Sequence, residues 1–122
     1  MLNRHFKEII AAFNAERVEY LLVGAYALAA HGLPRATSDI DFWVRPTTDN
    51  ADRTWRALAR FGAPLDSVTP QDLATPEMII QFGVEPQRID VLTTVDGVTF
   101  DDAYSRRLTV AMDGVKVDDH RS

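Results

Sequence analysis

Apolar positions recur along this chain with two different periods. Leu2, Phe6, Ile9, Ile10 and Phe13 share one side of a 3.6-residue period, with polar residues between them. The spacing predicts a first helix that covers a sheet. Tyr20-Leu21-Leu22-Val23 is continuously apolar, the pattern of a central strand buried on both faces. Gly24 interrupts it, and a stretch rich in small residues follows: Ala25, Ala27, Ala29 and Ala30, with Leu28. This predicts a short, closely packed helix stopped by Gly32 and Pro34. Residues 39–44 then alternate. Asp39 and Asp41 fall on one face of a strand, and Ile40 and Phe42 on the other.

The next helix is predicted to begin at Thr47-Thr48 and to stop at Gly62. Asp49 and Asp52 lie in its first turn, and Arg56 and Arg60 in its last, as the helix dipole favours. Its apolar stripe is read as Trp55, Leu58, Ala59 and Phe61, with Trp55 in the core. Residues 63–77 contain Pro64, Pro70 and Pro76 and read as irregular, with one helical turn started by Thr69-Pro70-Gln71-Asp72. Residues 78–82 and 88–93 read as an antiparallel hairpin turning through 83–87. Thr99 and Asp102 predict a capped short helix through residue 107, with Phe100, Ala103 and Tyr104 inward. Asp113-Gly114 sits between two apolar runs, 108–112 and 115–117, and signals a tight hairpin. The polar residues 118–122 are expected to fray. These elements add up to an α/β (α+β) chain, a single domain over residues 1–122. A mixed sheet of four to six strands carries helices mainly on one face.

Composition narrows the setting. A chain of 122 residues, 46% hydrophobic and 25% charged, has the balance of one soluble globular core. No apolar run approaches the ~20 residues that span a bilayer, and the first ten residues lack the pattern of a secretory leader. The expectation is a cytoplasmic protein with no membrane partner. Without cysteine there is neither a disulfide framework nor a thiolate metal site. The net charge of −5 argues against broad, non-specific nucleic-acid binding.

The chemistry gathers in residues 24–44. Two carboxylates side by side on a strand repel each other. A hard cation relieves that repulsion, and Mg²⁺ favours one or two carboxylates together with phosphate oxygens. A glycine ahead of a helix allows close backbone approach, and a helix N-terminus attracts phosphate. Together, Gly24, Asp39 and Asp41 point to a nucleoside triphosphate. Arg35 either binds phosphate with its guanidinium fork or orders its loop through a salt bridge. Thr37 and Ser38 can bond the loop backbone. His31 reads either as a helix-end or packed histidine, or as a nucleotide or acceptor contact. Further along, Asp90 stands inside the apolar run Arg88-Ile89-Asp90-Val91-Leu92. Burying it is costly unless it is paired or metal-bound. Arg88, on the same face, is the alternative partner.

These residues resemble the signature of the DNA polymerase β-like nucleotidyltransferase superfamily. Gly24-Ala25 match its glycine and small residue at a strand-to-helix turn. Asp39-Ile40-Asp41 match its Asp-x-Asp pair, and Asp90 its third carboxylate. The step of 15 residues from Gly24 to Asp39, with His31-Gly32 and Arg35 between, is similar to AbiEii-type toxin nucleotidyltransferases. The resemblance spans roughly residues 6–107. Ala25 stands where such proteins usually have glycine or serine, so only its backbone N–H is left to meet phosphate.

The resemblance implies Mg²⁺ or Mn²⁺ held by Asp39, Asp41 and Asp90, and a nucleoside triphosphate laid against Gly24, Ala25, Arg35 and Thr37. It implies transfer of a nucleotide to a hydroxyl of tRNA or protein, with a cognate antitoxin or partner chain as a further expectation. In the family's continuation, more helices follow the last hairpin, so this chain reads as a bare or shortened core. Two other readings stand beside transfer. One is a non-catalytic protein of the same fold that binds nucleotide or a partner chain. The other is a metal-dependent phosphohydrolase.

Overall fold

A computed structural model of the chain describes residues 4–24, 39–83, 88–112 and 114–120. Helix α1 (Arg4–Ala15) leads into strand β1 (Tyr20–Val23), and β2 is Asp39–Val44. Helices α2 (Thr48–Phe61) and α3 (Pro70–Leu73) follow, then β3 (Ile79–Phe82) and β4 (Arg88–Leu92). Helix α4 (Phe100–Ser105) precedes the hairpin β5 (Leu108–Met112) and β6 (Val115–Asp119). The six strands form one mixed sheet in the order β3-β4-β2-β1-β6-β5. β2 pairs antiparallel with β1 and parallel with β4, and β6 lies parallel to β1 with Leu22 opposite Asp119. This is the mixed α+β sheet that the alternating and helical periods predict. The helix predicted after Gly24, with His31, lies outside the described residues.

Strand alternation divides the apolar side chains between two faces. Tyr20, Leu22, Ile40, Phe42, Val44, Ile89, Val91 and Val117 form the main core with Phe6, Ile9, Ile10 and Phe13 of α1 and with Ala51, Ala57 and Leu58 of α2. Phe13, Tyr20 and Phe42 meet at its centre, with ring centroids 4.6–5.6 Å apart. The opposite face is smaller. There α4 packs Phe100 and Ala103 on Leu21 and Trp43, with Phe100 edge-on to Trp43 at 5.2 Å. Three described helices thus cover one face and a six-residue helix covers part of the other.

The buried side of α2 differs from the predicted stripe. Asn50, Ala51, Thr54, Ala57 and Leu58 are buried, Ala59 is exposed, and Trp55 and Phe61 are half-buried. Two polar residues turn inward because each finds a backbone partner. The Thr54 hydroxyl donates to the Asn50 carbonyl at 2.7 Å. Asn50 accepts the Glu19 N–H at 2.7 Å and donates to the carbonyls of Glu19 and Arg45 at 3.0 and 2.9 Å. One amide therefore ties the entrance of β1, the exit of β2 and the first turn of α2. Replacing Asn50 with alanine removes a partner from each of these part-buried backbone groups. Urea denaturation should show a loss of about 2–3 kcal/mol. A midpoint within experimental error of wild type would mean that the amide is dispensable.

Trp55 packs against the edge of the main core and also holds the neighbouring loop. Its indole N–H donates to the Val68 carbonyl at 3.1 Å. α3 carries the predicted turn in full. The Thr69 hydroxyl accepts the Asp72 N–H, and the Asp72 carboxylate accepts the Thr69 N–H.

Residues 118–119 do not fray as their polarity predicts. β6 continues through Asp119, which is fully buried, and the His120 N–H donates to the Leu22 carbonyl at 3.0 Å. Backbone pairing to the central strand holds residues 118–120 in place, which their composition could not reveal; residues 121–122 lie outside the described residues.

Candidate functional site

Gly24, Asp39, Asp41, Arg88 and Asp90 converge at one end of the sheet. The register explains how. Asp41 is opposite Val23 on the antiparallel β1 and opposite Asp90 on the parallel β4. Asp39 is opposite Arg88. The period of two that sends Ile40, Phe42, Ile89 and Val91 into the main core sends Asp39, Asp41, Arg88 and Asp90 to the other face. Residues 49 positions apart in sequence thus become lateral neighbours at the strand spacing of about 4.8 Å.

Gly24 closes the site from the β1 side. Its φ is +76°, in the left-handed region that side chains disfavour. A Cβ built there would lie 2.6 Å from Asp41 Oδ2. The backbone and the carboxylate are therefore as close as a hydrogen atom allows. Of the other predicted nucleotide contacts, Ala25, Arg35 and Thr37 lie outside the described residues.

The charges are unevenly neutralised. The Arg88 guanidinium bridges two carboxylates, with Nη2 3.2 Å from Asp39 Oδ2 and Nε 3.2 Å from Asp90 Oδ1. Asp90 is buried. Asp41 is half-buried, and its pKa is pushed up to about 6. Burial is the largest cause. A hydrogen bond with Asp90 and repulsion from Asp90 and Asp39 add to it, and Arg88 opposes it. Near neutral pH, Asp41 carries a charge that its surroundings penalise.

Among the described residues, no three acidic, histidine or cysteine side chains are gathered into a ready metal cage. The donor set nevertheless suits a divalent cation. Three hard carboxylates share one end of one face, and Asp41 is held against Asp90 at a cost that a cation would remove. The Gly24 backbone lets Asp41 Oδ2 approach to where a Cβ would clash with it. Asp41 and Asp90 are the nearest pair. Asp39 is paired with Arg88.

Two groups at this end were not assigned to the site from the sequence. Arg88 was recognisable as a possible partner of Asp90, but its bridge to Asp39 needs the parallel register. His120, level with Val23 across the β1–β6 pair, packs edge-on to Trp43 at 6.1 Å. No local signal marked it. No protein-family model matches this chain, and no curated protein is similar to it.

Proposed function

We propose that this chain is a metal-dependent nucleotidyltransferase that moves a nucleoside monophosphate from a triphosphate to a hydroxyl acceptor. The observation that carries the reading is the register-level meeting of Asp41 with Asp90, closed by Gly24 at 2.6 Å from the Cβ position to Asp41 Oδ2. That is the spatial form of the glycine, Asp-x-Asp and third-carboxylate pattern in the sequence. Asp39, Asp41 and Asp90 would hold Mg²⁺ or Mn²⁺. Such ions stabilise the attacking and leaving oxygens of an in-line displacement.

The residues of the chain divide the remaining work. Asp90, buried beside Asp41, is placed to orient the attacking hydroxyl and accept its proton. Gly24 gives the phosphates close access to the backbone. Ala25, Arg35 and Thr37 complete the proposed triphosphate contacts. The acceptor we propose is RNA, with tRNA first to be tried and protein second, in a toxin–antitoxin setting with a partner chain. A cytoplasmic location belongs to the same proposal. No helix among the described residues is long and apolar enough to cross a membrane.

A second reading has its own observation. Arg88 already neutralises two of the three carboxylates, as it would in a protein of this fold that binds without turnover. Incubation with each labelled nucleoside triphosphate, Mg²⁺ and a tRNA or protein pool separates the two. Labelled acceptor and released pyrophosphate, both lost with EDTA, are expected. Mg²⁺-dependent nucleotide binding with no labelled product would favour the binding protein. Free phosphate without labelled acceptor would indicate a phosphohydrolase.

A further inference from the structure

We infer that Arg88 is the resident counter-cation of this site and that it exchanges between carboxylates and triphosphate, so that a divalent metal binds strongly only together with a triphosphate. The inference rests on the nucleotidyltransferase reading and adds a linkage between its two ligands. One guanidinium reaches both Asp39 and Asp90 at 3.2 Å. These are two of the three carboxylates that a metal would need, so the same groups cannot serve both cations fully. Arg88 must give them up, and a bare divalent ion offers it nothing in return.

A triphosphate does. Its oxygens match the planar fork of a guanidinium, which binds phosphate in two parallel hydrogen bonds. The Arg88 side chain is 36% exposed although its Nε is buried, so part of the side chain reaches solvent while Asp90 is buried. A long stem lets a guanidinium head move without disturbing the strand that carries it. β4 is anchored on its other face by Ile89 and Val91 in the main core. Arg88 leaving the carboxylates for phosphate therefore opens the metal positions when the substrate arrives. Linkage requires the effect to be mutual: triphosphate tightens metal binding by the factor by which metal tightens triphosphate binding.

Calorimetric titration of the full chain tests this with two probes, Mn²⁺ alone and inorganic tripolyphosphate in the presence of Mn²⁺. Tripolyphosphate avoids any dependence on which base the site prefers. Arg88→Gln should bind Mn²⁺ alone roughly tenfold more tightly than wild type and tripolyphosphate with Mn²⁺ roughly tenfold more weakly, within the ordinary range of such couplings. Opposite signs are the signature. Arg88→Lys should show the same two opposite changes, each smaller, and it carries the test if the glutamine variant does not fold. In EDTA, Arg88→Gln should melt below wild type and recover when Mn²⁺ is added. Unchanged Mn²⁺ affinity, or two affinities that move together, would make Arg88 a fixed tie and overturn the exchange. With transfer intact in wild type, that result leaves the enzyme reading standing. No Mn²⁺ binding by either protein, with or without tripolyphosphate, overturns both.

Discussion

Gly24→Ala should cost transfer activity on the order of 10²-fold while leaving the sheet folded. The added methyl meets Asp41 Oδ2 at 2.6 Å, far inside contact distance, and it does so at a φ of +76° that alanine resists. Either the carboxylate turns away or the β1 turn shifts. Both move a metal ligand relative to the phosphates, and misplacement by about 1 Å can cost a catalyst that much. Gly24 is exposed at the end of a strand, so the core below has little to lose. Circular dichroism and the urea midpoint should stay near wild type, within the ~1–2 kcal/mol that a left-handed backbone costs a non-glycine residue. Wild-type turnover in the alanine variant would show that the contact between Gly24 and Asp41 does not position a reacting group.

Asp41→Asn should have two effects of opposite value. Transfer should fall on the order of 10³-fold, as expected when a major source of electrostatic stabilisation is removed. The metal-free fold should become more stable at pH 7.5. The native Asp41 carboxyl holds its proton up to about pH 6, whereas an unfolded aspartate releases it near pH 3.9. Between those values the native state binds more protons, so stability falls as pH rises through the window. Above pH 6 the loss is complete, and asparagine avoids it. Because the group is half-exposed, the gain should be only about 1–2 kcal/mol, a few degrees in melting temperature. The gap between variant and wild type should close below pH 4 in EDTA. Metal ions compete with the same proton, so wild-type Mn²⁺ affinity should weaken below pH 6. Melting curves at pH 4 and pH 7.5 that show the same difference would remove Asp41 as the source.

The sequence displayed the carboxylates more clearly than their surroundings. Asp39, Asp41 and Asp90 stand out because charge is rare at alternate positions of apolar strands. A period of two suffices to put each on the face away from Ile40, Phe42, Ile89 and Val91. The pairing of β2 with β4 is a different kind of fact. It depends on which strands become neighbours, and hydrophobic alternation does not encode that. The bridge from Arg88 to Asp39 was therefore not legible, although the shared face of Arg88 and Asp90 was. The α2 stripe was misread for a related reason. Apolar residues are presumed to face inward, yet Asn50 and Thr54 hold the buried positions through backbone hydrogen bonds. Trp55 packs half-buried against the core, as its spacing predicts, and its indole also pins Val68. His120 sat in a run that reads as a loose end until its backbone is seen bonded to Leu22.

The pairing of Leu22 with Asp119 also sets an order of events during synthesis. The strands that bear the carboxylates, with β1 and β3 beside them, are complete once residue 92 has emerged from the ribosome. β6 cannot dock on β1 until residue 119 has emerged. Contacts this distant in sequence close slowly. The edge of β1 that β6 covers is therefore the last side of the central strand to be paired.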